Sequence, residues 1–205
     1  MKAFKGYEDI QVFEGGASLP TGGYICKIVA AKEESFPNCN ILKVAFDICE
    51  GEFTDHYKER FDADKKQNAD AKWKGVLDIF LPKEDGSEQD EKTKSAFKRF
   101  TTSVEKSNPG YTWAWNESTL KDKLFGGVFG REEFLASDNT YKFATKCRWA
   151  NSVETIRDGK FKVPADKMTK EHIGQSLPFD NVAVPGANLA ANFEEAPLAN
   201  GVLPF

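Results

Sequence analysis

Residues 141–150, which read YKFATKCRWA, limit the possible folds more than any other stretch, because two kinds of side chain alternate along them. In an extended chain, successive side chains point to opposite faces of a sheet. One face then carries Tyr141, Phe143, Thr145, Cys147 and Trp149, and the other carries Lys142, Lys146 and Arg148. The run contains no acid, so its outer face is suited to a polyanion. The alternative is a solvated strand whose cations keep an exposed sheet soluble and unpaired.

Three earlier segments also have the composition of strands. Residues 24–31 are rich in β-branched side chains and follow a turn-forming LPTGG segment. Residues 42–49 alternate apolar positions with others that include Lys43, and they predict a second strand. After a short reversal at residues 50–52, residues 53–61 continue as a predicted third strand. Together these segments predict a meander.

The hydrophobic period changes in the middle of the chain. From Thr93 onward, apolar residues recur at helical spacing until Asn108, Pro109 and Gly110 end the helix. A short second helix is predicted within residues 116–124, a fourth strand at 128–135, and the basic strand is the fifth. Three strands, a helical interval and two strands are the order of an OB-fold. We therefore predict a mainly β protein built on a five-stranded OB-fold barrel.

Charge is distributed unevenly along the chain. The protein has 28 Lys and Arg against 32 Asp and Glu, a net charge of -4. Residues 171–205 contain four acids and no Lys or Arg; removing these four from the 32 leaves 28, equal to the number of basic residues. Five of the nine prolines lie at positions 164, 178, 185, 197 and 204. We expect an arm at 1–18, an OB-fold domain at 19–167 and a disordered acidic tail at 168–205.

Composition also limits the class of protein. Residues 1–11 lack an apolar core run and no later stretch approaches the length of a membrane span, so we expect a cytoplasmic protein. The four cysteines show no zinc-ligand spacing and should be reduced. We expect no cofactor, no metal and no membrane partner, and the oligomeric state stays open, with a homo-oligomer possible.

Cations and aromatic rings on neighbouring elements are typical of proteins that hold single-stranded nucleic acid. The predicted DNA-binding residues are Lys43, Tyr57, Lys58, Arg60, Phe61, Trp73, Lys74, Lys142, Lys146, Arg148 and Trp149. Aromatic residues in strands more often belong to a core, so the prediction depends on their clustering. Tyr111, Trp113 and Trp115 follow the end of the helix and are assigned to closing the barrel.

Two alternatives belong to other functional classes. The acids Asp47, Glu50, Glu52 and Asp55, with His56, could hold a divalent metal as in a nuclease. Acids at a predicted turn are usually solvated, and the chain has neither a phosphate-binding Gly-rich loop nor a G-x-S-x-G motif, so we expect no catalysis. The other alternative is a phage structural or assembly adaptor, which would need no basic face.

Six short segments between residues 19 and 167 combine glycines, prolines and aromatic residues: LPTGGY at 19–24, YKERF at 57–61, WKGVL at 73–77, SNPGY at 107–111, GGVF at 126–129 and DGKFKVP at 158–164. In these segments the chain resembles single-stranded DNA-binding proteins of phages and mobile elements of Gram-positive bacteria. The resemblance implies an OB-fold that coats single strands during DNA replication or recombination. Leu203, Pro204 and Phe205 are similar to the tip of bacterial single-stranded DNA-binding proteins, which implies recruitment of replication or recombination proteins.

Overall fold

The structure is a computed structural model that describes residues 19–169. The predicted arm at 1–18 and most of the predicted tail, including its tip, lie outside these residues. The strands are β1 (Gly22–Phe36), β2 (Cys39–Ile48), β3 (Val76–Phe80), β4 (Leu124–Leu135) and β5 (Tyr141–Asn151). The helices are α1 (His56–Gln67), α2 (Glu88–Ser107) and α3 (Val153–Arg157), with a short 3-10 helix at Glu117–Leu120. No helix in this part of the chain is long and apolar enough to cross a membrane.

The five strands form one antiparallel sheet in the order β3-β2-β1-β4-β5, which confirms the prediction of a mainly β protein. Two long hairpins, β1–β2 and β4–β5, supply most of the sheet, and β1 joins them by pairing with β4. This order leaves β3 and β5 at the two edges of the sheet. Several strands are longer than predicted: β1 continues to Phe36, and β4 begins at Leu124 instead of Val128.

The main core lies on one face of the sheet and is closed by α2. Phe46, Phe125 and Phe129 are fully buried and meet edge to face, with ring centroids 5.5 to 5.9 Å apart. Phe100 on α2 packs edge-on against Phe125, so the apolar stripe of the helix faces the core as its spacing predicts. The helix begins at Glu88, earlier than predicted, because the Ser87 side chain caps it by accepting a hydrogen bond from Asp90 N.

The predicted third strand at residues 53–61 is wrong, because most of this segment forms α1 and the true β3 lies at Val76–Phe80. The first free amides of α1, those of Tyr57 and Lys58, donate to the Asp47 carboxylate at 2.9 Å each. Asp47 lies at the end of β2, so the cap comes from outside the helix. An acceptor ten residues earlier gives no local capping signal in the sequence.

The predicted division of β5 into two faces is wrong at Trp149. Val128 pairs with Trp149 and Phe129 pairs with Cys147, so a β-bulge inserts Arg148 as an extra residue. Cys147 contributes to the main core, whereas Trp149 packs against a second cluster that contains Val128 and Ile156. The bulge therefore turns the Trp149 ring to the opposite side of the sheet from Cys147.

Candidate nucleic-acid interface

A cleft of about 320 Å³ is lined by both edge strands of the sheet together with α2. Phe80 reaches it from the end of β3, Arg99 from α2, and Arg148 and Trp149 from the bulge in β5. The bulge thus places a cation and an adjacent ring at one site, which regular alternation would have separated. Asp78 is the one carboxylate in the lining. The cleft combines aromatic faces with guanidinium groups, the two features that single-stranded nucleic acid needs.

The Trp149 ring is held between a packed cluster and a cation. The Arg99 guanidinium carbon lies 5.3 Å from the Trp149 ring centroid, which is cation–π geometry. Trp149 is half-buried against the second cluster and still lines the cleft. Because guanidinium and indole both have flat faces, a nucleobase can extend this stack or displace Arg99 from it.

Exposed rings continue from the cleft onto the outer face of β1, β2 and β3. Phe36 and Phe80 are 45% and 41% exposed, values that leave a ring face open to solvent. Phe80 pairs with Ile41 across β2 and β3, so the two side chains share this face. Lys43 lies on it too, with its Nζ 5.7 Å from the Phe36 ring centroid and 2.7 Å from a Glu34 carboxylate oxygen. The hydrogen bond to Glu34 raises the pKa of Lys43.

Four of the other predicted cations are engaged in ion pairs. The pairs are Lys58–Asp62 at 2.7 Å, Lys74–Asp64 at 2.5 Å, Lys142–Asp138 at 2.6 Å and Lys146–Glu132 at 3.0 Å. Arg99 and Arg148, by contrast, have no carboxylate within 4.0 Å among residues 19–169. Arg148 donates a hydrogen bond to the Arg131 carbonyl oxygen at 3.5 Å. The uncompensated charge therefore lies at the cleft more than on the outer face of the basic strand.

The predicted residues of the α1 region lie apart from the cleft lining. Tyr57 is 7% exposed and packs edge-on against Phe46, so a base could not reach its ring in the folded protein. Trp73 Nε1 donates to the carbonyl oxygens of Phe46 and Gly75, both at 3.1 Å, and the Trp73 ring contacts Phe61 at 5.6 Å. Arg60 is exposed on the same helix. The structure brings together Arg148 and Trp149 from the predicted set, places Lys43 on the adjoining face, and separates these residues from the α1 group.

The sequence interpretation missed Phe36, Phe80 and Arg99. A signal for Phe80 was present, since Leu77 and Ile79 are buried and strand alternation turns Phe80 to the other face. No comparable signal marked Arg99, because its position beside Trp149 depends on how α2 crosses β5.

Two of the acids named for the metal alternative, Asp47 and Glu50, make contacts that stabilise the fold. Asp47 is 7% exposed, and its carboxylate accepts the amides that begin α1. Glu50 accepts a hydrogen bond from Arg157 at 2.7 Å, which ties α3 to the turn after β2. Within residues 19–169 no group of three or more His, Cys, Asp or Glu side chains has an arrangement that could hold a metal ion.

No model of a known protein family matches the chain, and no curated protein matches it. Function is therefore inferred from the residues of these surfaces.

Proposed function

We propose that this protein binds single-stranded DNA without marked sequence preference and without catalysis, acting in DNA replication or recombination. The observation that carries the proposal is the cleft in which Trp149, Arg99, Arg148 and Phe80 meet. Base stacking on aromatic side chains contributes about 1 to 3 kcal/mol per base and tolerates any sequence, because every base has a flat face. Guanidinium groups supply the phosphate contacts.

The same proposal includes an OB-fold barrel. The strand order β3-β2-β1-β4-β5 supports it, since closing β3 against β5 would give the OB-fold arrangement. The lining of one cleft by both edge strands also supports closure. OB-folds commonly bind oligonucleotides on the face of the second and third strands. The exposed Phe80 ring lies on that face and lines the cleft, and the exposed Phe36 ring adjoins the face from the end of β1.

Trp149→Leu tests the proposal, because it removes the ring and keeps an apolar side chain against Val128. We expect the variant to bind an unstructured oligonucleotide about 10-fold more weakly, corresponding to loss of one stacked base at roughly 1.4 kcal/mol. It should also lose most of the tryptophan fluorescence quenching that single strands cause. The measurement is a fluorescence titration with single-stranded and duplex DNA of equal length.

Trp115→Leu is the matched control. Trp115 is 80% exposed, stacks on Phe97 at 5.8 Å and does not line the cleft. It should retain wild-type affinity. Circular dichroism should show that both variants are folded. The proposal that this cleft binds DNA fails if Trp115→Leu loses affinity and Trp149→Leu keeps it. Metal-dependent loss of the oligonucleotide would favour the nuclease, and no binding by the wild type would favour the assembly adaptor.

A further inference from the structure

A second cleft, of about 390 Å³, lies between α2 and the junction of β5 with α3. Its basic side chains are Lys98, Arg99 and Lys106. Arg99 and Lys98 lie seven and eight positions before Lys106, so each shares one side of α2 with it, and all three cations line this cleft. Arg99 lines the first cleft as well, which makes the two clefts neighbours.

The lining of this second cleft contains only cations, hydroxyls and an amide. Beside the three cations it includes Ser95, Thr102, Ser103, Asn151, Ser152 and Thr155, and no carboxylate. None of Lys98, Arg99 and Lys106 has an ion-pair partner within 4.0 Å in the part of the chain from 19 to 169. The lining is therefore well supplied with hydrogen-bond donors and carries uncompensated positive charge.

The absence of acids here contrasts with the rest of the same helix. In its first turns, Lys92 pairs with Glu88 at 2.7 Å, and Lys94 pairs with Asp90 at 3.0 Å. In the second half, the one acid is Glu105, which accepts a hydrogen bond from Trp113 N at 2.9 Å and does not line the cleft. Like charges in a cluster repel one another unless an anion binds among them. Residues 1–170 contain as many acids as bases, so the chain has carboxylates that could have paired with these three cations.

The walls of the cleft are fixed by hydrogen bonds within the protein. Ser103 Oγ donates to the Arg99 carbonyl oxygen at 2.7 Å, and Val153 N donates to Ser107 Oγ at 3.0 Å, which joins α3 to α2. Ser152 and Thr155 hydroxyls lie 2.8 Å apart. An anion entering this cleft would meet positions that are already set, which lowers the entropy cost of binding it.

We infer that this second cleft binds phosphate groups of the single strand whose bases occupy the first cleft, with Arg99 between the two. This inference rests on the proposed function and adds a path to it: the sugar–phosphate backbone follows the exposed side of α2 toward Lys106. The inference assigns the main electrostatic contacts with the phosphates to α2, outside the predicted basic strand at residues 141–150.

Lys98→Gln/Lys106→Gln tests the inference, since glutamine keeps much of the side-chain length and removes the charge. For single strands, each phosphate contact contributes about 0.7 to the slope of log K against log salt. Loss of two contacts should flatten the slope by about 1.4 and weaken binding by about 60-fold at about 50 mM salt, with little change near 1 M. Quenching of tryptophan fluorescence at saturation should stay at the wild-type level, because Trp149 is intact.

Lys66→Gln/Lys121→Gln is the control, because both lysines are exposed and lie outside the lining of both clefts. Its slope should equal that of the wild type. If the wild type binds and is quenched but the Lys98/Lys106 variant keeps its slope, the inference is overturned and the proposed function stands. If the wild type neither binds nor is quenched, both fail. Inorganic phosphate alone could also raise the melting temperature of the wild type. If the Lys98/Lys106 variant loses that shift but keeps the wild-type slope of log K for DNA against log salt, the cleft is a free-phosphate site and the inference is overturned.

Discussion

Replacing Asp47 with alanine should destabilise the protein through the start of α1. The Asp47 carboxylate is 7% exposed and accepts the amides of Tyr57 and Lys58, which are the second and third residues of the helix. Asp55, at the N-cap position itself, has a left-handed backbone and no side-chain capping hydrogen bond. Asp47 therefore replaces the usual cap. Ile48 N also donates to the Asp47 carboxylate at 2.9 Å, so alanine would remove the acceptor of three amides, two of them in α1.

The smallest expected loss follows from the two hydrogen bonds to α1. A hydrogen bond to a charged acceptor contributes about 1.5 to 3 kcal/mol, and the lower figure applies to the part-buried Lys58 amide, which water can reach. The Tyr57 hydrogen bond is buried and contributes no less than this, so the free energy of unfolding should fall by at least about 3 kcal/mol. Asp47→Asn keeps one acceptor oxygen and turns its amide group toward the other donor, so it should lose about half as much.

Urea unfolding followed by circular dichroism measures this change, with Asp70→Ala as the control. Asp70 is an exposed carboxylate near the end of α1, and its replacement should change stability by no more than about 0.5 kcal/mol. A loss below about 1 kcal/mol for Asp47→Ala would refute the capping role. Affinity for single strands should be unchanged in the folded variant, because Asp47 does not line either cleft.

Two further predictions concern charge and titration. Arg148→Glu should weaken binding to single strands more than the double variant Lys142→Glu/Lys146→Glu does, because both lysines already pair with carboxylates. The fluorescence titration with single-stranded DNA measures both effects. A larger loss of affinity in the double variant would place the interface on the outer face of β4 and β5. Burial raises the pKa of the Cys147 thiol from 9.0 to about 12, so above pH 9 the unfolded chain releases a proton that the folded protein retains. The free energy of unfolding should therefore fall as the pH rises from 9 to about 12, and it should fall less steeply in Cys147→Ala. Urea unfolding at several pH values measures this, and equal pH dependence in the two proteins would contradict the prediction.

Local patterns in the sequence were sufficient for the elements that bury one face. The alternation in β2 gave Val44 and Phe46 inward positions, and the helical spacing in α2 gave Phe97, Phe100 and Val104 theirs. These periods predict structure because burying a continuous apolar face is the main driving force for each element. The mainly β class and the helix between strands followed from them.

Elements without such a face were decided by contacts from elsewhere in the fold. Within α1 only Tyr57 is buried, so neither its spacing nor its polar composition distinguished helix from strand. The deciding contact, from Asp47, crosses ten residues of sequence. The bulge at Arg148 is similar, since it depends on the pairing of β5 with β4.

The candidate site divides in the same way. The sequence by itself determined that residues 141–150 form a strand with cations and rings, and that Arg148 and Trp149 stand next to each other. Only the tertiary structure decided that Trp149 faces Arg99 and shares a cleft with Phe80, and that Lys142 and Lys146 are paired with acids. The physical reason is that charge compensation and ring stacking act between side chains that are close in space, whereas a sequence pattern records only neighbours along the chain.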